Sequence, residues 1–325
     1  MKSTHPQPPI PPLIAMTIGL LAVSTASIFI RQAQTYAPSL VIAAYRLALA
    51  SLVLAPFALR RKRAEFDRFT RFELFLALVS GLFLALHFAT WITSLEYTTV
   101  TSSVVLVTTS PLWVALLSPL VLKEPLTWPI LLGMGLALVG SAVVGLSDTC
   151  AWVDTRLLCP TWEDFIQGQA FFGDVLALVG AWMATGYLLI GRRLRAKMSL
   201  ISYVFVVYGM AGLILVAVML LDGQTPLGYP PATYLWFVLL ALVPQLVGHS
   251  TFNWALGYLS AAYVSIALLG EPIGSTILAL IFLKERPTAF KLFGAILILA
   301  GIYVATQGEA RRKARQVELL REIPQ

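Results

Sequence analysis

Charge is scarce in this chain: of 325 residues only 12% are charged, while 58% are hydrophobic. Soluble domains carry roughly 25% charge and about 45–50% apolar residues, so the shortage excludes a soluble globular protein. Histidine is down to 3 residues and cysteine to 2. No glycine-rich nucleotide-binding loop, zinc-binding helix pattern or nucleophile elbow is present, which removes the usual starting points for an ATP-driven pump or an embedded enzyme. The alternating ten-residue segments of a membrane β-barrel are missing as well. The leading MKSTHPQPPIPP lacks the charged lead, short apolar core and cleavage site of a removed signal, so the first apolar segment is expected to be retained.

Apolar runs take the place of charge. They cover roughly residues 12–30, 38–59, 72–94, 99–122, 126–146, 174–191, 200–221, 233–257, 260–283 and 288–306. Each has the length, about 18 to 25 residues, that a helix needs to cross a hydrocarbon core. Lipid offers no partners for backbone groups, so such runs must be helical. The expected fold is an all-α integral membrane protein with ten transmembrane helices.

The net charge of +7 is a topology signal rather than a nucleic-acid patch. With alternate gaps assigned to one side, that side holds Lys2, the cluster Arg60 to Arg71, Lys123, Arg192 to Lys197 and the tail after Gly308. These make up 17 of the 23 basic residues; five lie opposite and Arg46 lies within a span. Basic residues stay on the cytoplasmic side, so both termini are expected in the cytoplasm of a multi-pass cell-membrane protein. Cys150 and Cys159 then fall in an extracytoplasmic loop, where an oxidising environment permits a disulfide; two free thiols are the alternative.

Shifted by 161 residues, the sequence matches itself. Gly19 meets Gly180, Arg31 meets Arg192, Thr90 meets Thr251, Pro111 meets Pro272, Glu124 meets Glu285, Gly133 meets Gly294 and Gly140 meets Gly301. A single offset over both ends indicates duplication. Each copy carries five runs, an odd number, so the second must cross in the opposite sense to the first. Two inverted five-helix repeats are an architecture of secondary transporters, whose sites lie where interrupted helices meet near the midplane. The boundaries read 1–12 N-terminal segment, 13–146 first repeat, 147–172 loop, 173–306 second repeat and 307–325 basic tail.

The segment SLEYTTVTSSVVLVTTSPLWVALLSPLVLKEPLTWPILLGMGLALVG and its echo ALGYLSAAYVSIALLGEPIGSTILALIFLKERPTAFKLFGAILILAG resemble EamA-type carriers of the drug/metabolite transporter superfamily. The shared features are a small-residue helix with a central proline, an L-x-E exit and a glycine-spaced helix. The resemblance implies ten helices, cytoplasmic termini and transport of small metabolites, often outward; it names no substrate.

Polar residues within the runs are the site candidates, because a polar group in hydrocarbon is costly and therefore functional by default. Glu271 precedes Pro272 midway along its run, and Ser110–Pro111 is the same interruption without the acid. Proline removes a helical N–H and crowds the preceding turn, so a helix break is expected at both Pro111 and Pro272. His87, Thr90, Trp91 and Ser94 share one helical face, and Gln245, His249 and Asn253 are spaced by four. Both stripes are expected to line a polar cavity or to bond between helices. Trp182, Tyr187 and Tyr263 could offer aromatic faces to a cationic solute, or simply pack. Arg46 could hold an anionic group or serve a structural ion pair, and Lys123–Glu124 and Lys284–Glu285 close equivalent helices at opposite faces. Glu271, His249 and His87 are the proton-coupling candidates.

The expected function is a secondary transporter, not an enzyme, for a small zwitterionic or cationic solute such as an amino acid. Outward movement by alternating access and proton coupling complete the expectation. No cofactor and no metal site is implied, and the partners are the solute and the lipid bilayer, with the protein a monomer or homodimer. A non-transporting scaffold or sensor is the alternative, and an embedded enzyme a more distant one.

Overall fold

The computed structural model describes residues 8 and 10–322 except 62, 99, 150, 154–155, 159–168, 279 and 282–288. The first half runs α1 (Pro12–Ser24), α2 (Ala26–Gln34), α3 (Ser39–Arg61), α4 (Arg63–Phe66), α5 (Arg71–Tyr97), α6 (Val100–Val107), α7 (Ser110–Val121) and α8 (Trp128–Thr149). A short antiparallel hairpin follows, β1 (Ala151–Val153) on β2 (Arg156–Leu158). The second half runs α9 (Gln169–Arg195), α10 (Leu200–Leu221), α11 (Pro231–Leu240), a π-helical segment (Ala241–His249), α12 (Ser250–Ala255), α13 (Ala261–Leu268), α14 (Glu271–Leu278) and α15 (Ala289–Glu322). The hairpin interrupts the expected 147–172 loop, and Cys150 and Cys159 lie outside the described residues. The stretch read as a basic tail continues α15 as helix to Glu322.

Local chemistry explains where several helices begin. Thr70 accepts from the backbone of Glu73, whose carboxylate receives the Thr70 N–H in return, a capping box at the head of α5. Ser199 and Ser260 cap α10 and α13 by accepting from Ser202 N and Tyr263 N. Pro111 and Pro272 each stand second in their helices, where a missing N–H costs nothing and the fixed φ suits a first turn.

Among the described residues, six helical stretches are long and apolar enough to cross a membrane: 12–34, 39–60, 71–97, 171–195, 200–221 and 231–255. The runs at 99–122 and 260–283 do not form single long helices, because each is divided at its proline. Outward faces are apolar: Leu52, Leu116, Leu120, Leu213 and Leu221 are all exposed. Soluble proteins rarely expose contiguous apolar patches this extensive, whereas lipid accepts them.

Elements 161 residues apart make matched contacts. α5 packs along α9, and its counterpart, the stretch from α11 to α12, packs on α1; α3 packs on α10, and α8 on α15. The α8–α15 crossing is close because glycines face backbone. A Cβ on Gly133 would lie 2.5 Å from the Gly301 carbonyl oxygen, one on Gly301 would lie 2.5 Å from that of Gly133, and one on Gly140 would lie 2.6 Å from that of Gly294. Contact order reverses along the two helices, so they run antiparallel. Small residues permit this approach, and dispersion at short range holds helices together where lipid is as apolar as their side chains.

Candidate functional site

Both broken helices are interrupted by two residues. After α6, Thr108 and Thr109 turn the chain, and their hydroxyls bond back to the Val104 and Leu106 carbonyls at 2.7 Å each. After α13, Leu269 and Gly270 make the same turn, with Leu269 N donating to Ile266 O at 3.0 Å. Each restart is approached from across the molecule. The Ser24 hydroxyl on α1 bonds the Leu20 carbonyl of its own helix at 2.8 Å and also reaches the Glu271 carbonyl at 3.4 Å. Thr185 on α9 bonds the Ala181 carbonyl at 2.8 Å and reaches the Ser110 carbonyl at 3.4 Å.

A cavity opens where these restarts face α5 and the π segment. It holds about 660 Å³ of empty space counting its open mouth. Glu271, Ser110, His87, Trp91, His249 and Tyr187 supply its polar and aromatic wall, and Val23, Val107, Phe252 and Leu268 its apolar wall. His87 Nδ1 lies 2.9 Å from the Gly180 carbonyl. A carbonyl only accepts, so Nδ1 carries a hydrogen, and in the neutral ring Nε2 is the acceptor. The His87 ring stacks on Trp91 with centroids 5.9 Å apart and planes at 12°. Carboxylate and aromatic faces together suit a positively charged group.

A buried polar layer backs this wall. Pro244 has no N–H, and around it the ladder shifts from i→i−4 to i→i−5: Ser250 N donates to Gln245 O. Such π turns often occur at functional sites. The shift separates the expected stripe. His249 reaches the cavity, while Gln245 turns to α3 and accepts from Arg46 Nε at 2.8 Å. Asn253 donates to Tyr187 Oη, to Tyr208 Oη at 3.3 Å and to the His249 carbonyl at 2.8 Å. Arg46, fully buried, lies with its guanidinium carbon 4.1 Å from the Phe88 ring centre, and Phe88 meets the His249 ring edge to face.

The sequence-derived candidates therefore divide. Glu271, His249, His87, Trp91 and Ser110 come together around the cavity, and Gln245 and Asn253 stand one layer behind. Thr90 turns its hydroxyl to the Leu86 carbonyl at 2.8 Å. Trp182 is 43% exposed and packs edge-on against Trp113, on the face of α9 opposite Ala184 and Tyr187. Tyr263 is buried in α13 and does not line the cavity. The two stripes are also not repeat-equivalent, since the offset of 161 sets His249 against Phe88 and His87 against Gly248. Tyr208 and Phe252 carried no sequence signal beyond ordinary apolar placement. Among the described residues no three His, Cys, Asp or Glu side chains gather as a metal site.

At one end of the bundle, Arg192 Nε bonds Glu124 Oε1 at 2.6 Å, and its Nη1 donates to the Leu256 carbonyl at 2.8 Å. Glu124 Oε2 also accepts from Ala261 N at 3.3 Å. This clamp joins the ends of α7, α9, α12 and α13.

The EamA-like transporter family matches the chain twice, over residues 10–146 and 171–307. An uncharacterized transporter from Archaeoglobus fulgidus is 25% identical over 267 residues, covering 82% of this chain and 86% of its own. Another uncharacterized transporter of the same organism is 24% identical over 291 residues, covering 90% and 94%. A protein of known crystal structure shares the fold with a TM-score of 0.72 at 15% identity, over 92% of this chain and 98% of its own.

Proposed function

The chain belongs to the EamA-like transporter family, and from that premise we propose that it is a secondary carrier. In this reading it moves a small zwitterionic or cationic organic solute, an amino acid for instance, outward across the cell membrane. Ten crossings form two inverted five-helix repeats with both termini in the cytoplasm, and the halves alternate access to the cavity. Proton movement through Glu271, His249 or His87 supplies the drive.

The observation that carries the reading is the cavity at the meeting point of two equivalent helix breaks, one bearing the acid Glu271. Discontinuous helices at corresponding positions of two repeats mark transporter sites. Inversion is supported by the reciprocal contacts. Gly133 and Gly294 are repeat-equivalent, as are Gly140 and Gly301, yet the contacts join Gly133 to Gly301 and Gly140 to Gly294. A two-fold axis across an antiparallel pair generates that exchange of partners. Phe88 and His249 are repeat-equivalent and touch each other, as residues beside such an axis do. The Glu124–Arg192 clamp falls on the side assigned to the cytoplasm, where it would close the inner entrance.

The test is solute counterflow in proteoliposomes screened against a panel of amino acids and organic cations. Uptake of a panel member, lost in Glu271→Gln protein that still inserts, is the expected result. Absence of uptake for every member would remove the reading.

A further inference from the structure

Arg46 is fully buried inside α3, a placement that is expensive for a charge without a partner. Among the described residues only its Nε is bonded, to Gln245 Oε1 at 2.8 Å, and the buried Nη1 and Nη2 find no acceptor. The neighbouring unsatisfied atoms are mostly donors too. Gln245 Nε2 has committed its own oxygen to Arg46 and finds no acceptor, and Trp91 Nε1, on the cavity wall, finds none. Among the described residues Asn253 Oδ1 is the one buried acceptor of this layer left unpaired. The guanidinium stands behind Phe88, whose ring abuts His249 on the cavity wall, and it lies within electrostatic reach of His87, His249 and Glu271.

Donors without acceptors around a planar fork match one chemistry. A carboxylate brings two oxygens in the spacing of the guanidinium nitrogens and a single negative charge. A polyanion fits poorly, because Arg46 is the one basic residue deep within the apolar runs, Lys291 standing near the head of its own, and Glu271 shares the cavity. We propose that Arg46, held by Gln245, is the binding residue for a carboxylate on the transported solute, with Phe88 the ring that moves aside to admit it. This rests on the carrier reading and narrows it. A solute that carries only a cation satisfies Glu271 and leaves the Arg46 fork empty, whereas one with both charges satisfies each.

The test sets acids beside their own carboxamides, which keep the shape and remove the charge. Purified protein is titrated with L-leucine and L-leucinamide, L-threonine and L-threoninamide, L-phenylalanine and L-phenylalaninamide, and hexanoate and hexanamide, with thermal stabilisation as the readout. At least one acid is expected to bind about 10–100-fold more tightly than its amide, the span of a charge-assisted hydrogen bond. Arg46→Gln should erase that preference and Arg46→Lys keep part of it. Should Arg46→Gln fail to fold, the wild-type acid and amide comparison still decides. Amides binding as tightly as acids, or no acid binding at all, would overturn the proposal. Counterflow with the same panel separates the two readings. Flux without acid preference leaves the carrier and removes the carboxylate site; acid-selective binding without flux does the reverse.

Discussion

The Ser24 hydroxyl, bonded to the Leu20 carbonyl at 2.8 Å, also reaches the Glu271 carbonyl at 3.4 Å, linking α1 of the first half to the restart of the broken helix in the second. Thr185 and Ser110, each 161 residues removed from one of that pair, make the same bond at the same length. The break in each half is thus met by a hydroxyl from the other, and the cavity is walled by both.

Removing these anchors tests that dependence. Ser24→Ala and Thr185→Val should each lower stability by about 1 kcal/mol, the net value of one hydrogen bond. A thermal-unfolding midpoint unchanged in both variants would show that the carbonyls at the breaks find other partners.

Glu271→Gln keeps the shape of the side chain and removes its charge. Transport of the identified solute should fall at least about tenfold, the effect of losing about 1.4 kcal/mol of binding, while membrane insertion is unaffected. Equal flux at every pH would place both solute recognition and coupling elsewhere.

Trp91 and Trp182 separate the cavity from the outer face. Trp91→Ala opens the wall beside His87 and should reduce flux severalfold or more, whereas Trp182→Ala changes a ring that is 43% exposed and should leave flux within about twofold, since changes away from core and site cost about 0.5 kcal/mol or less. A reversed order in the flux assay would contradict the cavity described here.

The glycine crossing makes a prediction with an internal control. Gly133→Ala forces a methyl to within 2.5 Å of the Gly301 carbonyl oxygen, while the Cβ of Gly135→Ala would meet nothing within 4 Å. Overpacking costs about 1–3 kcal/mol, so the first variant should melt lower and the second should not. Identical melting curves would mean that α8 and α15 can part at no cost.

The Glu124–Arg192 clamp is tested by accessibility. In protein with Cys150 and Cys159 replaced by serine, a cysteine introduced at Gly257 should react faster with a maleimide once Glu124→Gln is added. Its side chains are 13% and 21% exposed, so screening is incomplete and a contribution of about 1 kcal/mol, or roughly a fivefold rise in the open form, is reasonable. Unaltered labelling would show that the ion pair does not restrain this end.

Glu271, Ser110 and their prolines were legible as a linear pattern because duplication writes the same interruption twice and lipid makes an acid conspicuous. His87, Trp91 and His249 were legible as polar groups on apolar helices. Trp182 was not, since an aromatic ring carries no mark of which face of its helix meets lipid. The division of Gln245 from His249 was hidden too: it follows from the ladder shift around Pro244, and the spacing of four reads as one face only on a regular α-helix. Arg46 could be found in the sequence, but its orphaned Nη atoms could not.

Hydropathy, charge placement and the 161-residue offset are properties of the chain alone, so composition and periodicity settled the membrane environment, the duplication and the interrupted helices. Tertiary packing decided which polar groups share a cavity and which stand behind it. Those choices depend on helix rotation, on a backbone that shifts by one residue around a proline, and on contacts between residues more than 150 positions apart, none of which local sequence encodes.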